Sequence, residues 1–299
     1  MRYIAPPREA VDPQVFARMP LAAWHEFADL LQAREWPSVD AINARWPADV
    51  PLRFAAQSRE LLADGLHYEQ RIAQRGLIAT RERNWHDLFN ALAWLRFPDL
   101  KRALNLRQVA EIARMGPKQR SRAQYALTHF DEAGVMVGLR DPALLALWDA
   151  HDWHGLFWRE RDAWRDGRIE VEVFGHALLE HALASDKLLV GKALVVIPGP
   201  DQEENGLSSR RRPGSSGGAS GASKGEIIDA CAHAIRNEDL LRDPLELRPL
   251  PLSGIPGWHP DGEAENFHRN APCYQPLRAG RCYPTTMKLR GLNSKIEAC

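Results

Sequence analysis

Residues 169–197 read IEVEVFGHALLEHALASDKLLVGKALVVI, and this stretch decides the fold class. Ile169–Val173 alternate apolar and acidic side chains, a pattern that predicts a half-buried strand. Residues 174–184 carry apolar side chains at helical spacing and predict a helix, and residues 192–197 predict a second strand. Strand, helix and strand therefore follow one another with short connections.

A second helix is predicted upstream of this stretch, for residues 84–97. Asn84 can cap its N-terminus, and Asp87 stands at the third helical position, where an acidic residue completes a capping box. Trp85 and Phe89 belong to the apolar face of this helix and are predicted to lie in the core.

Two hairpins are predicted, one before the helix 84–97 and one after it. The first comprises residues 68–80 around Gly76, and the second comprises residues 126–139 around Gly134, where glycine can supply a positive φ. Because strands and helices do not alternate as regular βαβ units, the pattern predicts the α+β class, with a small mixed sheet and packed helices.

The remaining segments extend this core into a single predicted domain of residues 1–299. Residues 14–66 predict an N-terminal helical layer, and residues 67–198 form the α+β core. Residues 199–225 are rich in Gly and Ser and predict a disordered loop. Residues 226–290 predict one further helix and then an irregular, proline-rich C-terminal strap.

Composition excludes several classes of protein. Of the 299 residues, 44% are hydrophobic and 26% are charged, which is typical of globular proteins and excludes a fibrous or wholly disordered chain. No apolar run approaches the roughly 20 residues of a membrane-spanning helix, and the start of the chain lacks the apolar stretch of a signal peptide. The four cysteines form no Cys-x-x-Cys pair, so they indicate neither a zinc clip nor a disulfide framework. We therefore expect a cytoplasmic protein without a membrane partner.

Several motifs of common enzyme classes are missing from the sequence. It has no phosphate-binding loop ending in Gly-Lys-Ser/Thr, no dinucleotide-binding glycine motif and no His-Glu-x-x-His. Evidence for an active site must therefore come from polar residues that are dispersed along the chain.

A set of histidine and acidic residues is the leading candidate for a functional site. His129 and Asp131 stand two apart in a predicted strand, so their side chains are expected to leave the same face. His176 and Glu180 stand one turn apart on the predicted helix 174–184. If the two faces meet, these residues can bind a divalent metal, and the nitrogen ligands favour Zn, Mn or Fe over Ca.

Further polar residues accompany this set. Asp87 and Glu132 are candidates for a catalytic base beside a metal-bound water, and His86 and Asn90 share one face of the helix 84–97. These assignments predict a metal-dependent hydrolase. The alternative interpretation is structural, with acids and amides that cap or cross-link helices and histidines that bond backbone carbonyls.

A second functional hypothesis is a non-catalytic protein that binds nucleic acid or another polyanion. Residues 96–122 contain eight basic and two acidic side chains, an excess of positive charge that could contact phosphates. The basic face would comprise Arg102, Arg107, Arg114, Lys118, Arg120 and Arg122. A solvated face is the simpler interpretation, because the whole chain carries no net charge, so nucleic acid is not favoured as a partner.

Six segments together resemble a known protein family. In chain order they read NWHDLFNALAWLRFP, ALTHFDEAGVMVG, LWDAHDWHGLFW, EVEVFGHALLEHAL, GKALVV and PLPLSGIPGW. Residues 84–277 thereby resemble a bacterial family defined by domain of unknown function 3025. The resemblance implies a soluble bacterial protein and brings no activity with it. After Phe267 the chain departs from the family pattern, with Tyr274-Gln275-Pro276 where that family tends toward Phe-Arg-Pro.

Overall fold

The computed structural model describes residues 3–116, 118–184, 186–198 and 223–289. Its α-helices are α1 (Ala28–Leu31), α2 (Val39–Asn43), α3 (Arg59–Leu62), α4 (Tyr68–Arg75), α5 (Trp85–Arg96), α6 (Pro98–Met115), α7 (Arg122–Ala133), α8 (Leu144–Asp149), α9 (Arg161–Arg165), α10 (His176–His181), α11 (Lys224–Arg236) and α12 (Glu265–Asn270). Its strands are β1 (Arg53–Ala56), β2 (Leu77–Thr80), β3 (Gly134–Leu139), β4 (Ile169–Val173), β5 (Val190–Pro198), β6 (Arg248–Pro251) and β7 (Met287–Leu289). Helices packed on small mixed sheets confirm the predicted α+β class.

The larger sheet has the strand order β4-β3-β5-β6, and β7 pairs with β5. Its central strand β3 runs antiparallel to β4 and parallel to β5, with Val135 opposite Val173 on one side and Val137 opposite Val195 on the other. All six residues of β3 are buried, as expected for a central strand covered on both faces. None of the helices among the described residues is both long and apolar enough to cross a membrane.

The first predicted hairpin is wrong. Residues 68–75 form the helix α4, and β2 pairs in parallel with β1, which lies inside the predicted N-terminal helical layer. Gly76 does adopt a positive φ of 67°, but it ends α4 in the left-handed conformation. A glycine with positive φ serves a helix C-terminus as well as a hairpin turn, so the sequence signal was ambiguous.

The second predicted hairpin is also wrong, because its first arm belongs to the helix α7. Ala126, Leu127 and Phe130 are buried at helical spacing, and Ser121 caps the helix in a capping box with Gln124. Gly134 starts β3 with a φ of −67°, so it supplies no positive φ. Glycine fits there for a different reason, since a Cβ atom would clash with the carbonyl oxygen of Phe130.

The C-terminal strap is more regular than predicted. Within it β6 adds an edge strand to the sheet, with Pro249 opposite Lys192 and Pro251 opposite Val190. Prolines are tolerated at an edge because the missing N–H groups can face away from the neighbouring strand. The carbonyl oxygen of Pro249 also accepts a hydrogen bond of 2.8 Å from Nε1 of Trp148. The predicted disordered loop lies outside the described residues, apart from its last three.

The helix α5 confirms its prediction closely and fixes the orientation of the candidate site. Oδ1 of Asn84 accepts a hydrogen bond of 3.0 Å from the amide of Asp87, which caps the helix at its first turn. Trp85 and Phe89 are buried and stack on each other. The neighbouring face of α5, about 100° around the helix from Trp85 and Phe89, carries His86 and Asn90, which are directed toward the helices α4, α7 and α10.

Candidate functional site

A polar cavity of about 600 Å³ lies among the helices α4, α5, α6 and α7. Four helices contribute its walls, and His176, the first residue of α10, closes one end. The cavity is open on one side and therefore has the size and access of a small-molecule site.

Three side chains converge at this end of the cavity. Nε2 of His176 lies 3.2 Å from Nε2 of His86, and Oε2 of Glu132 lies 3.6 Å from the former and 3.9 Å from the latter. A point equidistant from these three atoms is about 2.1 Å from each, which is the usual length of a zinc–nitrogen or zinc–carboxylate bond. We call these residues the triad, and among the described residues they form the one group of three histidine or acidic side chains that is close enough together to hold a metal ion.

Helix termini bring the triad together. His86 is the second residue of α5, His176 is the first residue of α10, and Glu132 lies one residue before the end of α7. The rings of Phe130 on α7 and Phe174 before α10 stack at 5.2 Å, and this buried contact holds the two helix ends beside each other.

A second layer of carboxylates faces the outer nitrogens of both histidines. Oε2 of Glu180 lies 3.2 Å from Nδ1 of His86, and because a carboxylate only accepts, Nδ1 carries the proton, so in the neutral ring Nε2 presents its lone pair to the triad. Oδ2 of Asp131 lies 3.9 Å from Nδ1 of His176. Carboxylates behind histidine ligands are the usual supports of metal sites, where they fix the orientation of the ring.

Asp131 is in turn held by a buried lysine. Nζ of Lys101 donates to Oδ1 of Asp131 at 2.6 Å and to Oδ1 of Asn90 at 2.8 Å. The amide of Asn90 donates to the hydroxyl of Tyr68 at 2.9 Å. The Lys101 side chain is only 4% exposed, so this chain of hydrogen bonds satisfies a charge that could not otherwise be buried.

The pKa values of the triad respond to these surroundings. Burial lowers the pKa of His176 to about 3, so its ring is neutral at physiological pH, which is the form that binds metals. The hydrogen bond that His86 donates to Glu180 raises the pKa of His86, and burial raises the pKa of Glu132. For Asp131, burial acts to raise the pKa, but Lys101 and the histidines outweigh it and the pKa is lowered.

Most of the residues predicted from sequence do meet in or beside this cavity. The structure brings together six of them, namely His86, Asn90, Asp131, Glu132, His176 and Glu180. His86 belongs to the triad, although the sequence suggested it only as an accompanying residue.

His129 does not reach the triad, contrary to its predicted role as a ligand. Residues 129 and 131 share a face only in a strand, whereas in the helix α7 they are about 200° apart. His129 is an exposed residue. The small part of its ring that is buried, together with the positive charges of Lys192 and Arg120, lowers its pKa.

Asp87 lines the cavity, but its carboxylate is already engaged. Oδ1 of Asp87 accepts from Nη2 of Arg81 at 2.6 Å, and Oδ2 accepts from the Arg81 amide at 2.6 Å. Because Arg81 occupies both oxygens of this carboxylate, the geometry does not support the predicted role of Asp87 as a base.

Half of the predicted basic face is paired with acidic side chains within the molecule. Arg107 is buried against Glu111 at 3.5 Å, Arg114 pairs with Glu111 and Glu238, and Arg122 pairs with Asp243. These pairs remove half of the predicted cations from contact with a polyanion, because their charges are already compensated.

Sequence reasoning missed the polar wall of α6. Lys101, Asn105 and Gln108 are buried and recur at helical spacing, and all three face the cavity. That spacing is visible in the sequence, but lysine is so rarely buried that Lys101 reads there as one more surface cation. Asn105 donates to Oε2 of Glu69 at 2.6 Å, which places a further carboxyl group in the cavity wall.

Replacing Glu69 with glutamine is expected to stabilise the protein at alkaline pH. Burial raises the pKa of Glu69 from 4.5 to about 7, so the stability that its neutral form contributes is complete below pH 4.5 and lost as the pH rises to about 7. Glutamine does not ionise, and Glu69→Gln should gain up to about 3 kcal/mol over the wild type at pH 8 and little at pH 4.5. Urea unfolding at both pH values measures this, with the exposed Glu9→Gln as the control. An equal effect of Glu69→Gln at the two pH values would contradict the shifted pKa.

Comparison with known proteins identifies one family. Residues 52–278 match the family described as "Protein of unknown function (DUF3025)", and the matched region contains every residue of the triad. No curated protein and no solved structure matches the chain.

Proposed function

The chain belongs to the DUF3025 family of proteins of unknown function, and on the basis of its cavity we propose that it is a metal-dependent hydrolase. The observation that supports this proposal is the triad, in which two imidazole nitrogens and one carboxylate oxygen surround a common point. Two histidines and one glutamate are the ligand set of several catalytic zinc sites, which keep a further position for water or substrate.

The ligand types favour a transition metal. Imidazole nitrogen suits Zn, Mn and Fe, whereas Ca and Mg prefer an all-oxygen set, so Zn or Mn is the proposed cofactor. Nδ1 of His86 is protonated toward Glu180, which leaves Nε2 free to act as a ligand. Asp131, fixed by Lys101, lies 3.9 Å from the outer nitrogen of His176, beyond hydrogen-bond distance, so its support of that ring is electrostatic.

The exposure of the triad distinguishes a catalytic from a purely structural site. The Glu132 side chain is 41% exposed and that of His86 is 28% exposed, while His176 is buried behind them. The triad therefore faces the open cavity, where water and substrate can reach it. A bound ion would supply a water of lowered pKa as the hydrolytic nucleophile.

Chelation is expected to lower the melting temperature of the purified protein. A metal that binds only the folded state stabilises it by about 2.7 kcal/mol at a concentration a hundredfold above its Kd. The melting temperature should fall with EDTA and recover with Zn or Mn in the wild type, whereas Asp131→Asn should respond less and His176→Gln should not respond. His129→Gln is the matched control, because His129 lies on α7 like Glu132 but outside the triad.

Elemental analysis of the protein as purified accompanies this measurement. Stoichiometric zinc or manganese supports a hydrolase, whereas stoichiometric iron would favour oxygen chemistry and contradict the hydrolytic assignment. A protein without metal, whose melting temperature is unchanged by EDTA and by added Zn or Mn, would exclude the metal-dependent mechanism.

A further inference from the structure

Three cationic side chains line the cavity, and only two of them have an acidic partner. Arg81 pairs with Asp87 at 2.6 Å, and Lys101 pairs with Asp131 at 2.6 Å. Arg120 instead contacts a hydroxyl group and an aromatic ring, and no carboxylate within the part of the chain that the structure describes. Its positive charge is therefore available to a ligand in the cavity.

Arg120 is held in place by contacts that leave most of its donors free. Nη2 donates to Oγ1 of Thr128 at 2.6 Å, and the guanidinium carbon lies 5.2 Å from the ring centre of Tyr125. A guanidinium has five N–H donors in a planar fork that matches the oxygens of a carboxylate or phosphate. Arg120 is itself exposed, and these two contacts restrain its side chain and so reduce the entropy cost of using that fork.

Thr128 adds a second donor at the same place. Its hydroxyl oxygen accepts from both Arg120 at 2.6 Å and Nε2 of Gln108 at 3.2 Å. A threonine hydroxyl has two acceptor lone pairs and one hydrogen to donate. Because both lone pairs are used, and no described residue accepts from the hydroxyl, its hydrogen is left for a ligand that accepts hydrogen bonds.

Arg120 and Thr128 lie in the same cavity as the triad, and Thr128 belongs to the same helix as Glu132. Thr128 and Glu132 stand four residues apart on α7 and both line the cavity, so they are separated by about 6 Å along the helix. A group bound at the Thr128 hydroxyl is therefore about one helical turn from the level of Glu132 in the triad. Gln119 and Gln124 also line the cavity and, being neutral, do not repel an anion.

From these contacts we propose that Arg120 and Thr128 form an anion-binding subsite, and that the substrate carries a carboxylate or phosphate group close to the bond that is cleaved. The reacting bond in this statement rests on the proposed hydrolase function. The anion subsite itself requires no metal, so the two proposals can fail separately.

Calorimetric titration of the full-length, EDTA-treated protein with orthophosphate and with acetate, at constant ionic strength, tests the subsite. The wild type should bind at least one of these anions, and Arg120→Gln should weaken binding at least about tenfold, because charge-assisted hydrogen bonds are lost. Arg120→Lys should be intermediate, since a single ammonium cannot form the fork. Thr128→Val, which removes only the hydroxyl, should weaken binding less than Arg120→Gln. Tighter binding of orthophosphate assigns a phosphate substrate, and tighter binding of acetate assigns a carboxylate.

Arg161→Gln is the matched control, because Arg161 also lies over an aromatic ring, that of Trp158 at 4.6 Å, but outside the cavity. It should leave the Kd of both anions unchanged. Equal Kd values for the wild type and Arg120→Gln, or no binding of either anion to the wild type, would overturn the subsite. Anion binding that depends on Arg120 in a protein that takes up no metal would retain the subsite and reject the hydrolase.

Discussion

His176→Ala is expected to weaken metal binding by more than about 100-fold, and more strongly than Glu180→Gln. It removes one of the three atoms that surround the proposed metal position, whereas Glu180→Gln leaves all three and weakens only the support of His86. Loss of such a supporting carboxylate costs about 10–100-fold in metal affinity, and loss of a ligand should cost more. Competition with a chromophoric zinc chelator measures the affinities.

Two further variants make this result specific. His129→Ala should retain the wild-type affinity, because His129 is an exposed residue of the same helix as Glu132 but does not belong to the triad. Since His176 is buried, His86→Ala, at a more exposed ligand, separates loss of metal from loss of folding. Equal affinities for His129→Ala and His86→Ala would show that the triad does not bind the metal.

Phe89→Ala is expected to lower the free energy of unfolding by about 3–5 kcal/mol, a large share of the total stability of a typical domain. Phe89 is 0% exposed and stacks on Trp85 with ring centres 5.9 Å apart, so its truncation leaves a cavity that rigid neighbours cannot fill. Urea unfolding followed by tryptophan fluorescence and by circular dichroism measures the change.

Phe16→Ala is the matched control for this substitution. Phe16 also contacts Trp85, at 6.4 Å, but it is only partly buried, so its loss should cost less than that of Phe89. A cost below about 1 kcal/mol for Phe89→Ala would mean that the faces of α5 are reversed, and His86 would then point away from the cavity.

The elements that the sequence predicted correctly are those specified by neighbouring residues. The helix α5 has its own cap at Asn84 and its own apolar face, and β4 has strict alternation from Ile169 to Val173. In both cases the physical signal, a capping hydrogen bond or an alternation of apolar and acidic residues, lies within one short segment. No partner elsewhere in the chain is needed to interpret it.

For the two segments predicted as hairpins, tertiary structure decided which secondary structure formed. Gly76 allowed either a hairpin turn or a helix end, and only the pairing of β2 with the distant β1 determined which one formed. Residues 126–132 contain apolar positions compatible with a strand or a helix, and packing of Phe130 against Phe174 accompanies the helix. Short apolar segments are ambiguous until their long-range contacts are known.

The candidate site was likewise determined partly by local sequence and partly by tertiary structure. The sequence supplied the residue types, because His86, Glu132 and His176 stand out as ionisable side chains beside predicted apolar faces. It could not supply their convergence, since each belongs to a different helix and they meet only where those helix ends pack together. The arrangement of ligand atoms about one point depends on side-chain distances of a few ångströms between segments far apart in the chain, and the packed core, not local periodicity, fixes such distances.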